Sequence, residues 1–144
     1  MLSYGEARYV IGEIGRIGFY QQCVARWQFE VQEYEQQIEM LSMPSSPNGH
    51  VSIGEAKGND VSDFSKKLVE MVAERDDLKA KLYDWIKDLR TANEYLRILM
   101  ESEDAEYVKA FFETKDKWSL KEVYHISNPY DKMNRIVSQN IKKL

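Results

Sequence analysis

The chain has 144 residues, with 20 Lys and Arg, 24 Asp and Glu, one Cys, seven Gly and three Pro. A net charge of −4, with 31% charged and 43% hydrophobic residues, excludes global disorder and gives no whole-chain attraction for nucleic acid. No apolar run nears the ~18 residues that cross a bilayer, and no basic-then-apolar segment opens the chain, so no membrane association is expected. Few Gly and Pro and many Glu, Lys, Gln, Leu and Met predict an all-α protein.

Gly12-x-x-Gly15-x-x-Gly18 comes first. Each Gly inside a helix costs about 1 kcal/mol, so the stretch reads as a kinked helical lead-in rather than a close helix crossing. It is no phosphate loop, because no strand precedes it and no Lys-Ser/Thr follows.

Apolar residues then fall at Ile17, Tyr20, Val24, Trp27, Val31, Tyr34, Ile38 and Leu41, in alternating steps of three and four. That is a heptad seam on one helix face. Cys23 lies beside it; a single thiol excludes an internal disulfide and suits a reducing cytoplasm. Met43-Pro-Ser-Ser-Pro-Asn-Gly-His50 and the polar run after it stop the helix, predicting a loop over 43–60. The seam resumes with Val61, Phe64, Leu68, Met71, Arg75, Leu78, Leu82, Trp85, Leu89, Ala92, Leu96 and Leu99. Forty helical residues span roughly 60 Å, which predicts an elongated hairpin or coiled-coil body over 1–101.

An antiparallel αα-hairpin pairs Tyr34 with Leu68, Tyr20 with Leu82, and Trp27 with Arg75, the last as a cation–π contact. The same seam (Val24, Trp27, Val31, Tyr34 and Ile38 with Leu68, Met71, Leu78, Leu82, Trp85 and Leu89) suits pairing between chains. A homo-oligomer is expected, because a two-helix hairpin alone buries little surface.

Residues 102–144 predict a second unit of three short helices. Ser102 reads as the N-cap of the first, which carries Tyr107, Val108, Phe111 and Phe112. Ser119-x-x-Glu122 reads as a capping box. Asn128 as N-cap and Pro129 at the first helical position open the last helix, which buries Met133, Ile136, Val137 and Ile141. Residues 115–144 hold seven basic and three acidic side chains, +4, so the rest of the chain carries −8.

Three short helices ending in one with a polar, basic face describe a helix-turn-helix for double-stranded DNA. Tyr130, Lys132, Asn134 and Arg135 are the candidates for base edges or phosphates, Asn suiting adenine and Arg guanine. Ser119, Lys121, Ser138, Gln139 and Lys142 complete the candidate face, mainly toward phosphates. No nucleophile–base set surrounds Cys23, His50 or His125, and these three give no zinc-type ligand set. The expectation is therefore no enzyme, no metal and no cofactor.

Ser119-Leu-Lys-Glu-Val-Tyr-His-Ile-Ser-Asn-Pro-Tyr-Asp-Lys-Met-Asn-Arg-Ile, closing on Ile141-Lys-Lys-Leu144, resembles the region-4 helix-turn-helix of sigma factors. Its turn is about one residue shorter and lacks the usual Gly. Met43-Pro-Ser-Ser-Pro-Asn resembles a loop of small phage proteins from Gram-positive hosts. The order of parts over 20–144 resembles phage late transcription regulators of the ArpU and RinA type. The resemblance implies DNA binding upstream of late phage genes in a bacterial cytoplasm, and contact with host RNA polymerase. Two other readings compete. One is a DNA-packaging adaptor of the small-terminase kind; the other is a coiled-coil module that inhibits or adapts a host factor without touching DNA.

Overall fold

The structure is a computed structural model and describes residues 1–42 and 58–144. Its elements are α1 (Tyr4–Gly15), α2 (Ile17–Ser42), α3 (Gly58–Met100), α4 (Ala105–Glu113), a 3-10 turn (Lys117–Ser119), α5 (Leu120–Val123) and α6 (Pro129–Asn140). Among the described residues the fold is all-α, without strands. No helix there is long and apolar enough to cross a membrane. Most of the loop expected at 43–60 lies outside the described residues, and α3 already begins at Gly58. The chain forms two compact units, Met1–Gln21 with Lys87–Leu144, and Gln22–Ile86. This division differs from the expected 1–101 and 102–144, because the N-terminal helix joins the C-terminal helices.

The unit of Gln22–Ile86 is an antiparallel hairpin of α2 and α3. Its seam follows the heptad reading: Val31 and Met71 are buried, while Val24, Trp27, Tyr34, Ile38, Leu68, Leu78, Leu82 and Trp85 are half-buried. Two helices flank a seam on one side each, so most of its side chains keep an open edge. Phe64, expected in the seam, is exposed. The Tyr34 hydroxyl donates to Glu74 at 2.5 Å, and Lys79 pairs with Glu35 at 3.0 Å.

One expected contact is corrected. Lys81 lies over the Trp27 ring at 5.3 Å, with Arg26 at 5.8 Å. Arg75 instead binds its neighbour Asp76 at 3.1 Å. The cause is side-chain direction. Helical side chains lean toward their own N-terminus, so in an antiparallel pair long side chains meet from residues well beyond the level partner.

In the other unit, α1 opens with a capping box. Ser3 Oγ accepts from the Glu6 amide at 3.2 Å, and the Ser3 amide donates to Glu6 at 3.1 Å. Hydrogen bonds to its carboxylate from the Ser3 amide, first, and from the Ser3 side chain hold Glu6 below the ordinary carboxylate range. Ala7, Val10 and Ile14 form the buried stripe. The helix stops at Arg16, whose amide donates to the Glu13 carbonyl at 3.1 Å, and α2 starts at once. A Cβ added at Gly12, Gly15 or Gly18 would meet nothing within 4 Å, so these glycines serve no close helix crossing within the chain. Glu13 accepts from the Tyr20 hydroxyl at 2.5 Å, and Leu89 at the edge of this unit is half-buried.

The core joins Leu2, Val10 and Ile14 of the N-terminal segment to Tyr95 and Leu99 of α3, Tyr107, Val108 and Phe111 of α4, and Met133, Ile136, Val137 and Ile141 at α6. The α1–α6 pair is its most extensive helix contact. Such a core is driven by apolar burial, at roughly 25 cal/mol per Å².

Candidate nucleic-acid interface

The three short helices are set by local chemistry. The turn before α4 is closed by Ser102, whose hydroxyl donates to the Leu99 carbonyl at 2.6 Å and accepts from the Asp104 amide at 3.2 Å. The N-cap position falls on Asp104, not on the expected Ser102. The C-terminal end of α4 is capped by Lys117. Its ammonium donates to the carbonyls of Phe111 and of Thr114, the latter at 2.6 Å, and sits 4.7 Å from the Phe111 ring centre. Burial pushes the Lys117 amine below its ordinary range.

The expected capping box at Ser119 does not form. Asp116 caps the 3-10 turn, accepting from the Trp118 amide at 3.2 Å, and Ser119 Oγ donates back to the Asp116 carbonyl at 2.7 Å. With Ser119 already in helical backbone (φ −61°, ψ −25°), its side chain cannot reach the amides it would have to cap.

Between α5 and α6 the chain turns through His125, at φ 54° the one non-Gly residue with positive φ among those described. The Ile126 amide donates to the Lys121 carbonyl at 3.0 Å, and Tyr124 to Leu120 at 3.0 Å. This is a Schellman-type ending in which His takes the place usually held by Gly. The turn therefore keeps the left-handed step although the sequence has no Gly there. Asn128 caps α6 as expected, accepting from the amides of Tyr130 at 3.0 Å and Asp131 at 3.3 Å, with Pro129 at the first helical position.

The nine candidate side chains do not share one face. Arg135 and Gln139 are exposed along α6, and the helical period brings them to one side together with the acidic Asp131; Lys142 is exposed beyond the helix, after the extended Ile141. Lys142 donates to the Gln139 carbonyl at 2.7 Å. Lys121 and Ser119 are exposed on the preceding turn, and Ser138 is half-buried. Among the described residues, neither Lys121, Arg135 nor Lys142 is paired with a carboxylate.

Lys132 is held over aromatic rings, 4.8 Å from the centre of Tyr107 and 5.8 Å from that of Tyr124. Asn134 is buried, 6% exposed, with its Oδ1 lacking a hydrogen-bond partner. Its place as a reader of base edges is corrected. The helical wheel turns position 134 toward Val137 and Ile141, both of which lie in the core.

Sequence reasoning missed the aromatic cluster that supports this region. The Tyr107 hydroxyl donates to the Pro129 carbonyl at 2.7 Å, tying α4 to the start of α6, and burial pushes its pKa up to about 12. Phe111 meets Tyr130 edge-on at 5.6 Å between ring centres, and Trp118 meets Tyr130 at 5.7 Å. Trp118, unassigned by periodicity, is 52% exposed. Among the described residues no group of His, Cys, Asp and Glu converges as a metal site would require. Comparison of the chain with protein-family models, with curated proteins and with solved structures finds no match.

Proposed function

We propose that the chain binds double-stranded DNA through a helix-turn-helix formed by α5 and α6, as a transcription regulator of the phage late-gene kind. One observation carries this reading: Lys121, Arg135, Gln139 and Lys142 are exposed without an acidic partner among the described residues. The turn at His125 and the Asn128 cap give the two helices a defined junction. Cations with no carboxylate partner have no ion pair to break before they meet phosphate oxygens, and they release counterions when they do so. Arg135 reads a base edge, Gln139 supports it, and Lys121 and Lys142 hold the phosphates. The resemblance in the order of parts favours a regulator over a packaging adaptor. Lys132 acts through packing, and Asn134 is not part of the interface.

The binding species is a homo-oligomer, since one small module offers limited contact area. Phe29, Met40, Val69 and Tyr83 of the hairpin unit are large, apolar and exposed, and are the surface available to a second copy. Host RNA polymerase is a further partner in this reading.

The test selects binding sites from a random duplex pool with the intact chain, then titrates salt. Log affinity is expected to fall linearly with log salt. Arg135→Ala is expected to cost about 1–3 kcal/mol on the selected site and relax discrimination there, while Lys142→Ala weakens all sequences alike and lowers the salt slope by roughly one. No retained DNA at low salt sinks the proposal. A ring-shaped assembly in native mass measurement transfers support to the packaging adaptor.

A further inference from the structure

We propose that Trp118 and Tyr130 form a stacking shelf for an unpaired nucleobase of the bound DNA; this rests on the DNA-binding reading above. Trp118 is 52% exposed, Tyr130 41% and Val123 68%, whereas the other large apolar side chains of residues 105–141 are buried or half-buried. The two rings touch, with centres 5.7 Å apart and planes at 60°. Tyr130 is held from behind by the edge of Phe111, itself 1% exposed. The Trp118 backbone is fixed by the bond from its amide to Asp116. The shelf is therefore rigid and loses little side-chain freedom when a flat ring settles on it.

The charge around the shelf indicates the occupant. Exposed Lys115 and Lys121 stand three residues before and three after Trp118, with no carboxylate partner among the described residues. Of the acids close by in sequence, Asp116 is engaged in the turn cap, while Glu113, Glu122 and, next to Tyr130, Asp131 are exposed. Residues 115–144 carry +4 overall. An apolar ring flanked by cations suits a base with its two adjoining phosphates better than an uncharged protein groove. Tyr130 also stands at the first turn of α6, the end that a helix-turn-helix brings to the groove. A base that leaves the stack at that end would find the shelf beside it.

The experiment compares three probes with the full chain: a perfect duplex carrying the selected site, the same duplex with one unpaired thymine, and single-stranded oligo-dT. Affinity is read by anisotropy and contact by tryptophan quenching. Trp27 and Trp85 lie in the hairpin unit, and Trp118→Phe separates their signal from that of Trp118. The wild type is expected to prefer the bulged duplex roughly tenfold, the scale of one base–aromatic stack. Trp118→Ala should abolish the preference and leave the perfect duplex bound as before; Trp118→Phe should keep part of the preference. Circular dichroism melts confirm that both variants fold. Equal binding of bulged and perfect duplex by the wild type overturns the shelf and spares the DNA reading. So does a preference that survives Trp118→Ala. Failure to bind any of the three probes overturns both proposals.

Discussion

Replacing Asn134 with Leu should stabilise the protein. Asn134 is 6% exposed and its Oδ1 has no hydrogen-bond partner. Burying a carbonyl oxygen without a partner costs about 1–3 kcal/mol, because the hydrogen bond it made to water is not replaced. Leu has the same branching at Cγ and no polar atom. It also gains about 0.3–0.5 kcal/mol in helix propensity inside α6. Part of the gain is taken back, since two methyl groups are bulkier than an amide oxygen and nitrogen. The net expectation is about 1–3 kcal/mol, or a rise in Tm of roughly 3–10 °C for a chain of this size. Urea denaturation followed by circular dichroism measures it, at fixed protein concentration because association shifts apparent stability. DNA affinity and site preference should be unchanged, as the side chain faces the core. A loss of 1 kcal/mol or more refutes the reasoning, since it means the amide is engaged and not orphaned. A loss of base discrimination at normal stability returns Asn134 to the interface.

Three further outcomes follow from the same geometry. His125 at φ 54° carries a left-handed backbone cost that Gly avoids, so His125→Gly should raise stability by about 0.5–1 kcal/mol in denaturant melts. Gly12 lies inside α1 with open space where a Cβ would stand, so Gly12→Ala should add about 0.5–1 kcal/mol in the same melts. Tyr107 is neutral in the fold with its pKa raised to about 12 by burial, against an ordinary value of 10.0. Its stabilising contribution is complete below pH ~10 and is lost as pH rises through about 12, giving an alkaline decline in stability. Tyr107→Phe should blunt that decline in a pH series, at a neutral-pH cost of about 1 kcal/mol for the lost bond to Pro129.

The hairpin is legible in the sequence because its signal is local and repetitive. The described seam residues from Val24 to Leu89 are buried or half-buried, Phe64 excepted, as steps of three and four require of one helix face. The Asn128–Pro129 start of α6 is legible for the same reason, since a cap and its amides lie within four residues. What periodicity does not supply is long-range partnership. Nothing local says that Val10 and Ile14 belong with Val137 and Ile141, so periodicity alone groups the N-terminal helix with the hairpin. The same gap misplaces Asn134, whose polar type suggests a solvated face while the surrounding core buries it. At Ser119, backbone state overrides side-chain type: the motif is present, but its first residue is already helical. The shelf escapes because Trp118 sits in a 3-10 turn too short to have a period.

The packing of α1 against α6 also sets an order of events during synthesis. One helix leaves the ribosome about 125 residues before the other, counting from the start of each. At about 5–20 residues per second that interval is roughly 6–25 s. Through it, Ala7, Val10 and Ile14 have no α6 to cover them, while the hairpin between completes its own sequence before α6 appears. The unit with the candidate DNA surface therefore closes last, and a nascent chain stalled before Met133 would present an apolar helix and no binding face.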